Sequence, residues 1–123
     1  MDNKLKEFIR QWSNYEFSTG GMTGDDYLKF QAGFRRVLAG IAKQAGYQIH
    51  QFNKNHYCCS AVLKQTQTGA FAYLSISDVR FWPNQWYTSI LYRQMRHQTD
   101  WTGRENHYCT LEELAGELSR LYT

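Results

Sequence analysis

The sequence is short of the residue types on which many structural and functional assignments depend. Its 123 residues include one proline and three cysteines, and the formal net charge is only +3. No apolar run approaches the roughly 20 residues of a membrane-spanning helix, and the N-terminus has no signal-peptide pattern. Three cysteines, of which Cys58 and Cys59 are adjacent, do not make a disulfide framework. We therefore expect a cytoplasmic protein with reduced thiols and no membrane partner.

Motifs that would identify a reaction are also missing. The sequence has no glycine-rich phosphate loop, no dinucleotide-binding fingerprint and no G-x-S-x-G elbow. His97, Asp100, His107 and Cys109 match no zinc signature in their spacing, so we predict no metal and no cofactor. Cys109 activated by His107 or His97 is the arrangement that a cysteine enzyme would use, but it would also need a lowered thiol pKa and an oxyanion donor. We expect a protein that is not an enzyme and keep the Cys109 enzyme as an alternative.

Aromatic side chains, in contrast, are abundant. Phenylalanine, tyrosine and tryptophan make up 16% of the chain, with nine Tyr, seven Phe and four Trp. From Phe71 onward the chain alternates, so that Phe71, Tyr73 and Ser75 share one face. A period of two with this content is typical of a half-buried strand. The alternation resumes from Tyr87, which falls on the same face of its strand as Arg93.

Periodicity along the rest of the chain predicts three helices and two further strands. The helices are expected near Lys4–Asn14, Asp25–Ala45 and Leu111–Tyr122, and the further strands at Tyr47–Phe52 and His56–Gln65. Thr110 and Glu113 are spaced as a capping box for the last helix. We predict an α+β fold, a four-stranded antiparallel meander sheet with two N-terminal helices and one C-terminal helix packed mainly on one face. We expect residues 1–123 to form a single domain, with residues 15–22 as a flexible link between the first and second helices.

The second predicted helix contains two internal glycines, Gly33 and Gly40, in line with Lys29, Arg36 and Lys43. A glycine inside a helix costs about 1 kcal/mol relative to alanine, so we expect another element to approach the backbone closely at both positions. The three basic residues are interpreted either as an ordinary solvated face or as a stripe that follows a phosphate backbone.

Two connections carry most of the candidate binding residues. The aromatic loop, Asp78–Trp86, contains the only proline, and the long loop, Arg96–Tyr108, is rich in charged side chains. Aromatic and arginine side chains suit base stacking or a partner's hot spot, although the rings of the aromatic loop could instead cap the core. The candidate binding residues are Arg80, Phe81, Trp82, Trp86, Arg93, Arg96, His97, Trp101 and Arg104. Asp100 with Arg104 is interpreted as a pair that pins the long loop.

Binding is therefore the predicted function. We expect a small non-enzymatic protein that binds nucleic acid or a nucleoprotein complex, a class that includes inhibitors encoded by phages or plasmids. If one face of the sheet is open, Tyr73, Tyr87 and Arg93 would form an aromatic and basic platform for single-stranded nucleic acid, a nucleotide or a protein partner. A homodimer would cover the same rings. The alternative ligand is a small nucleotide-like molecule held by Arg80, Arg93 and Trp82.

Overall fold

The computed structural model describes residues 3–17, 25–54, 58–102 and 104–123. The helices in these ranges are α1 (Asn3–Trp12), α2 (Asp25–Ala45) and α3 (Leu114–Arg120), and the strands are β1 (Tyr47–Lys54), β2 (Cys59–Gln65), β3 (Phe71–Ser75), β4 (Ile90–Met95) and β5 (His107–Cys109). The α+β class is confirmed, as are a helix or a strand in each predicted region. The strand count of four is wrong, because β5 adds a fifth strand to the sheet.

The sheet is an antiparallel meander in which each strand pairs with the next one along the chain, in the order β1-β2-β3-β4-β5. Tyr73 at the centre of β3 lies opposite Val62 on β2 and Arg93 on β4. The additional strand pairs Tyr108 with Leu91 and contributes only three residues. A segment this short within a polar loop shows no recognisable alternation, so sequence periodicity could not find it.

The helices cover one face of this sheet with a core built largely from rings. Phe30 on α2 is fully buried and lies at ring-centroid distances of 5.5 Å from Phe8 and 5.6 Å from Trp12, both on α1. From the sheet, alternate residues such as Leu63 and Leu74 enter the same cluster. Because aromatic side chains bury large apolar areas and pack favourably edge to face, this cluster is expected to be the main source of stability.

The aromatic loop contributes one of its rings to that core. Trp86 has no exposed surface, its ring lies 5.0 Å from that of Phe30, and its Nε1–H donates to the carbonyl oxygen of Trp12 at 3.2 Å. Phe81 and Trp82, by contrast, are 69% and 52% exposed. The loop therefore both caps the core and presents rings at the surface, so each of the two interpretations describes part of it.

Burial of Trp86 also explains why β4 begins at Ile90 and not near Tyr87. The amide of Trp86 donates to the carbonyl of Trp82, and that of Thr88 donates to Gln85, each at 3.0 Å. These turn bonds occupy the backbone groups that a strand would use for pairing. The predicted strand start at Tyr87 is therefore wrong by three residues.

The predicted flexible link, residues 15–22, is described only as far as Phe17. Phe17 is buried, and its ring stacks on Trp12 with the centroids 5.4 Å apart. The first part of the link is thus packed against the core, and residues 18–22 lie outside the described ranges. The first residue of the strand predicted at His56–Gln65 and its neighbour Tyr57 also lie outside them.

The two glycines of α2 behave differently. A Cβ atom placed on Gly33 would lie 2.6 Å from Cε1 of Phe8, so α1 does approach the backbone there as predicted. A Cβ atom on Gly40 would meet nothing within 4 Å, so the predicted close approach at Gly40 is wrong. Residues of α1 and α2 line a groove of about 570 Å³, and both glycines contribute to it.

The capping box before α3 is confirmed. The amide of Thr110 donates to Oε1 of Glu113 at 3.0 Å, and the amide of Glu113 donates to Oγ1 of Thr110 at 3.1 Å. Regular α-helix begins at Leu114, immediately after the capping box and three residues after the predicted start at Leu111. Among the described residues, no helix is both long and apolar enough to span a bilayer.

Candidate functional site

The face of the sheet opposite the helices, here called the open face, carries a mixture of buried and half-buried side chains. Cross-strand pairing places Val62, Tyr73 and Arg93 in one row across it, and Lys64, Phe71 and Met95 in the next. Tyr73 and Phe71 are only partly buried, although they lie at the middle and the start of a central strand. The long loop follows β4, and its residues Asp100 and Trp101 contact Arg93 and Tyr73 on this face.

Arg93 attaches the long loop to the open face. Its guanidinium carbon lies 4.7 Å from the centroid of the Tyr73 ring, within the range of a cation–π interaction. Its Nη1 donates to the carbonyl of Asp100 at 3.1 Å, and its Nη2 donates to the carbonyl of Trp101 at 3.0 Å. As a result Arg93 is only 4% exposed, and two of its three guanidinium nitrogens are already bonded within the protein.

Arg96 and Asp100 close the first turn of the long loop. Nε and Nη2 of Arg96 donate to the two carboxylate oxygens of Asp100 at 2.9 and 3.0 Å, and the backbone amide of Arg96 donates to the same carboxylate at 2.9 Å. The bonds to Asp100, followed by its negative charge, raise the pKa of Arg96. Asp100 therefore pairs with Arg96, and the predicted pairing with Arg104 is wrong.

Three of the predicted binding residues meet in a hollow of about 490 Å³ at the end of the sheet where β4 stops. Arg96, His97 and Arg104 line this basic hollow together with Phe71 and Met95. All three have exposed side chains. Arg96 and His97 are adjacent at the start of the long loop, and Arg104 lies near its end. The structure thus brings together the charged residues that sequence analysis had only placed in one loop.

Two further basic residues border the basic hollow and were missed. Nζ of Lys64 lies 5.8 Å from the centroid of Phe71, and the ring of His50 lies 5.2 Å from it. Lys64 could have been found, because alternation along β2 places it directly opposite Phe71. His50 could not, because it lies at a register irregularity between Ile49 and Gln51 that alternation does not reveal.

A second hollow of about 330 Å³, here called the ring hollow, lies beside Arg93 further along the open face. It is lined by Tyr73, Ser75, Leu91, Arg93, Trp101, Thr102 and Asn106. The ring of Trp101 stands edge-on to Tyr73 at 6.0 Å and 86°, and the side chain is 54% exposed. Tyr73 and Arg93 occupy the predicted platform, but Tyr87 does not, since it packs against the core beside Trp86 at 5.3 Å.

The exposed part of the aromatic loop lies at the other end of β3. Phe71 begins that strand beside the basic hollow, whereas the aromatic loop follows its last residue, Ser75. Arg80 donates from Nη2 to Asp78 at 2.9 Å, and its guanidinium lies 5.1 Å from the ring of Phe81. The predicted binding residues that reach the surface therefore form two separate groups, and Trp86, which is fully buried in the core, belongs to neither.

The residues proposed for chemistry are not arranged for it. Burial raises the pKa of Cys109 to about 12, with the charges of Glu117 and Glu113 as further causes. A reactive cysteine needs the opposite shift. His107 does share the helix-side face of β5 with Cys109, as its spacing predicts, and its ring lies 5.3 Å from that of Tyr92. Within the described ranges, no cluster of three or more His, Cys, Asp or Glu residues could hold a metal ion.

No protein-family model, curated protein sequence or solved structure matches this chain. The chemistry of the open face is therefore the basis on which a function can be inferred.

Proposed function

We propose that the protein binds single-stranded nucleic acid, free or within a nucleoprotein complex, on its open face. The observation that carries this proposal is the convergence of Arg96, His97 and Arg104 with Lys64 around Phe71. Phosphate groups are recognised by clustered basic side chains, and the contacts give an affinity that depends on salt. The convergence is not a property of one strand or helix, since Lys64 is on β2 and the others are on the long loop.

The balance of charge around the basic hollow supports an anionic ligand. Asp100, the carboxylate that binds Arg96, has a side chain only 2% exposed. Lys64 and Arg104 make no ion pair with any of the residues that the structure describes. Within those residues, no ion pair therefore neutralises the positive charge of Lys64 or Arg104. A phosphodiester would supply that neutralisation.

A single strand suits this face better than a duplex does. Single-stranded nucleic acid is recognised by sheet surfaces whose aromatic side chains stack on unpaired bases, beside a basic groove that follows the backbone. Trp101 and Tyr108, which are 54% and 61% exposed, provide such rings on or beside the open face. The formal net charge of only +3 indicates that long-range steering is weak and that local contacts must supply most of the affinity.

The test is titration of dye-labelled single-stranded oligonucleotides at several salt concentrations, read by fluorescence anisotropy. We expect Arg104→Ala and Lys64→Ala each to weaken binding and to reduce the salt slope by about 0.7 for each phosphate that the removed side chain had neutralised. Arg104 is preferred to Arg96 for this test, because removing Arg96 would also leave the buried carboxylate of Asp100 without its guanidinium partner. Lys29→Ala, at an exposed lysine on α2, is the matched control.

Absence of binding by the unmodified protein would overturn the proposal. Equal loss of affinity in Lys29→Ala and Arg104→Ala would also contradict it, because the effect would then reflect overall charge and not the basic hollow.

A protein surface at Phe81 and Trp82 is the second candidate. These two rings are 69% and 52% exposed, and Arg80 lies against the first of them. Exposed aromatic and arginine side chains are the residue types enriched at protein interfaces. In a nucleoprotein target this surface would contact the protein component. We expect Phe81→Ser to leave oligonucleotide affinity unchanged while weakening binding to such a complex, and a loss of oligonucleotide affinity would instead place Phe81 in the nucleic-acid site.

The nucleotide-like ligand of the alternative prediction would need Arg80, Arg93 and Trp82 in one site. Arg80 and Trp82 belong to the aromatic loop, whereas Arg93 lies opposite Tyr73 in the middle of the sheet. That combination of residues is therefore not favoured.

A further inference from the structure

Arg93 is a buried cation whose hydrogen-bond partners in the described residues are uncharged carbonyl groups. It is 4% exposed, and it makes no ion pair with a carboxylate in residues 3–17, 25–54, 58–102 or 104–123. Its hydrogen bonds go to the carbonyl oxygens of Gln94, Asp100 and Trp101, which are neutral. Buried charges in proteins are usually paired, because moving an ion out of water is costly unless an opposite charge compensates it.

Arg80 in the aromatic loop and Arg96 in the long loop make the carboxylate contacts that Arg93, on β4, does not make. Arg80 and Arg96 each donate from both Nε and Nη2 to one carboxylate, Asp78 and Asp100 respectively. This side-on pair of donors is the geometry that recognises a carboxylate or a phosphate. In Arg93, Nε donates to no described residue. The carbonyl bonds fix the guanidinium in place and leave this donor for an external acceptor.

The cavity beside Arg93 matches a ligand that is both aromatic and anionic. The ring hollow, about 330 Å³ in volume, is near the lower limit of small-molecule sites and suits one nucleotide unit better than a larger ligand. Trp101 provides a half-exposed ring at one side. Asn106 and Thr102 provide an amide and a hydroxyl, which can donate to and accept from the edge of a base.

We propose that the ring hollow is a nucleotide subsite of the open face. In this subsite one base stacks on Trp101 beside Asn106 and Thr102, and its phosphate supplies the negative charge that Arg93 lacks. The inference rests on the proposed single-strand function and adds to it a position at which the base, and not only the backbone, is recognised. The neighbouring phosphates of the strand then lie towards the basic hollow, where Arg96 and Arg104 are found.

The experiment compares an oligothymidylate with an abasic oligomer of the same length and charge. Stacking of a base on an aromatic side chain is worth about 1–3 kcal/mol, so we expect the unmodified protein to prefer the oligothymidylate by about 5- to 150-fold. Trp101→Leu should reduce that preference to about one while the affinity for the abasic oligomer is retained. Trp82→Leu is the matched control, since Trp82 is 52% exposed but belongs to the aromatic loop at the other end of β3.

The charge of the ligand is tested separately with thymidine and thymidine monophosphate as competitors of the labelled oligomer. We expect the monophosphate to compete and the nucleoside to compete at least tenfold less well. Arg93→Lys should keep the positive charge but lose the side-on donors. It should therefore weaken competition by the monophosphate more than competition by the nucleoside. Thermal melting confirms that each variant is folded. If Arg93→Lys is not, competition by thymidine and thymidine monophosphate for the unmodified protein still tests recognition of the phosphate, and equal competition would contradict the role of Arg93.

The possible failures are distinguishable. If the unmodified protein binds neither oligomer, the proposed function is wrong. If it binds both oligomers equally, the basic hollow accounts for all of the affinity and the nucleotide subsite is wrong. If the preference for thymidylate survives Trp101→Leu, the base is recognised elsewhere, and the subsite is again wrong although the function stands.

Discussion

At the scale of single residues, substitution of Gly33 tests the close approach of α1 to α2, and the same substitution at Gly40 is its control. Gly33→Ala would place a methyl group 2.6 Å from the Phe8 ring, which is itself held between Phe30 and Trp86. Because that ring cannot move without disturbing the core, we expect a loss of about 1–3 kcal/mol in the free energy of unfolding. Gly40→Ala meets open space and should gain up to about 1 kcal/mol from helix propensity.

Chemical denaturation of the two variants measures both effects. The two substitutions are identical and lie on the same helix, so opposite signs can arise only from their surroundings. A gain in both would show that α1 can shift away from Gly33, and a loss in both would show that another group occupies the groove at Gly40.

Residue identity alone could not predict which of the three rings of the aromatic loop is buried. Trp86 is fully buried while Phe81 and Trp82 are exposed, yet all three are large apolar side chains within six residues. What separates them is the turn geometry, which aims Trp86 at the carbonyl of Trp12. That bond joins residues 74 positions apart, so no local pattern predicts it.

At the scale of elements, single substitutions should measure how much the capping box before α3 contributes to stability. Thr110→Ala removes the acceptor for the Glu113 amide, and we expect a loss of about 0.5–2 kcal/mol in stability. Glu113→Ala removes the reciprocal bond to the Thr110 amide. Glu112→Ala, at an exposed neighbour outside the box, serves as the control. Additive losses in the double variant would contradict a box in which the two bonds depend on each other, and coupling in a double-mutant cycle would support it.

The elements also show where sequence-based prediction stops. Alternation correctly placed Tyr73 with Phe71 on β3 and Arg93 on β4, but it also put Tyr87 on the face of Arg93, whereas Tyr87 packs against the core. It did not show which face the helices cover, or that the long loop would fold back and bury the Arg93 guanidinium. Both depend on contacts between segments distant in the chain. Periodicity therefore predicts only some of the residues on the open face, and the two hollows could be found only in the structure.

At the scale of the whole molecule, buried tyrosine hydroxyls and cysteine thiols predict that the stability of the fold decreases under alkaline conditions. Burial is the main cause that raises the pKa of Tyr47, Cys59, Tyr92 and Cys109 to about 12, from ordinary values of 9.0 for the thiols and 10.0 for the phenols. The unfolded chain therefore releases these protons at lower pH than the folded protein does. Stability should be fully present below pH 9 and decline as the pH rises from 9 to about 12.

Thermal melting across this pH window measures the decline. Tyr92→Phe removes one of the titrating groups and should make the fall less steep, whereas Tyr108→Phe, at an exposed tyrosine, should not change it. A melting temperature that stays constant from neutral pH to pH 12 would contradict the burial of these groups.

The order of the strands has a consequence for how the chain reaches its fold. Every pair of hydrogen-bonded strands is also consecutive along the chain, so each ladder closes a loop between segments that are made one after the other. Short loops are quick to close, and proteins rich in such local contacts fold faster than those that join distant segments. During synthesis each strand can pair with its predecessor as soon as it emerges. Each new strand thereby covers the hydrogen-bonding edge that would otherwise be open to other chains.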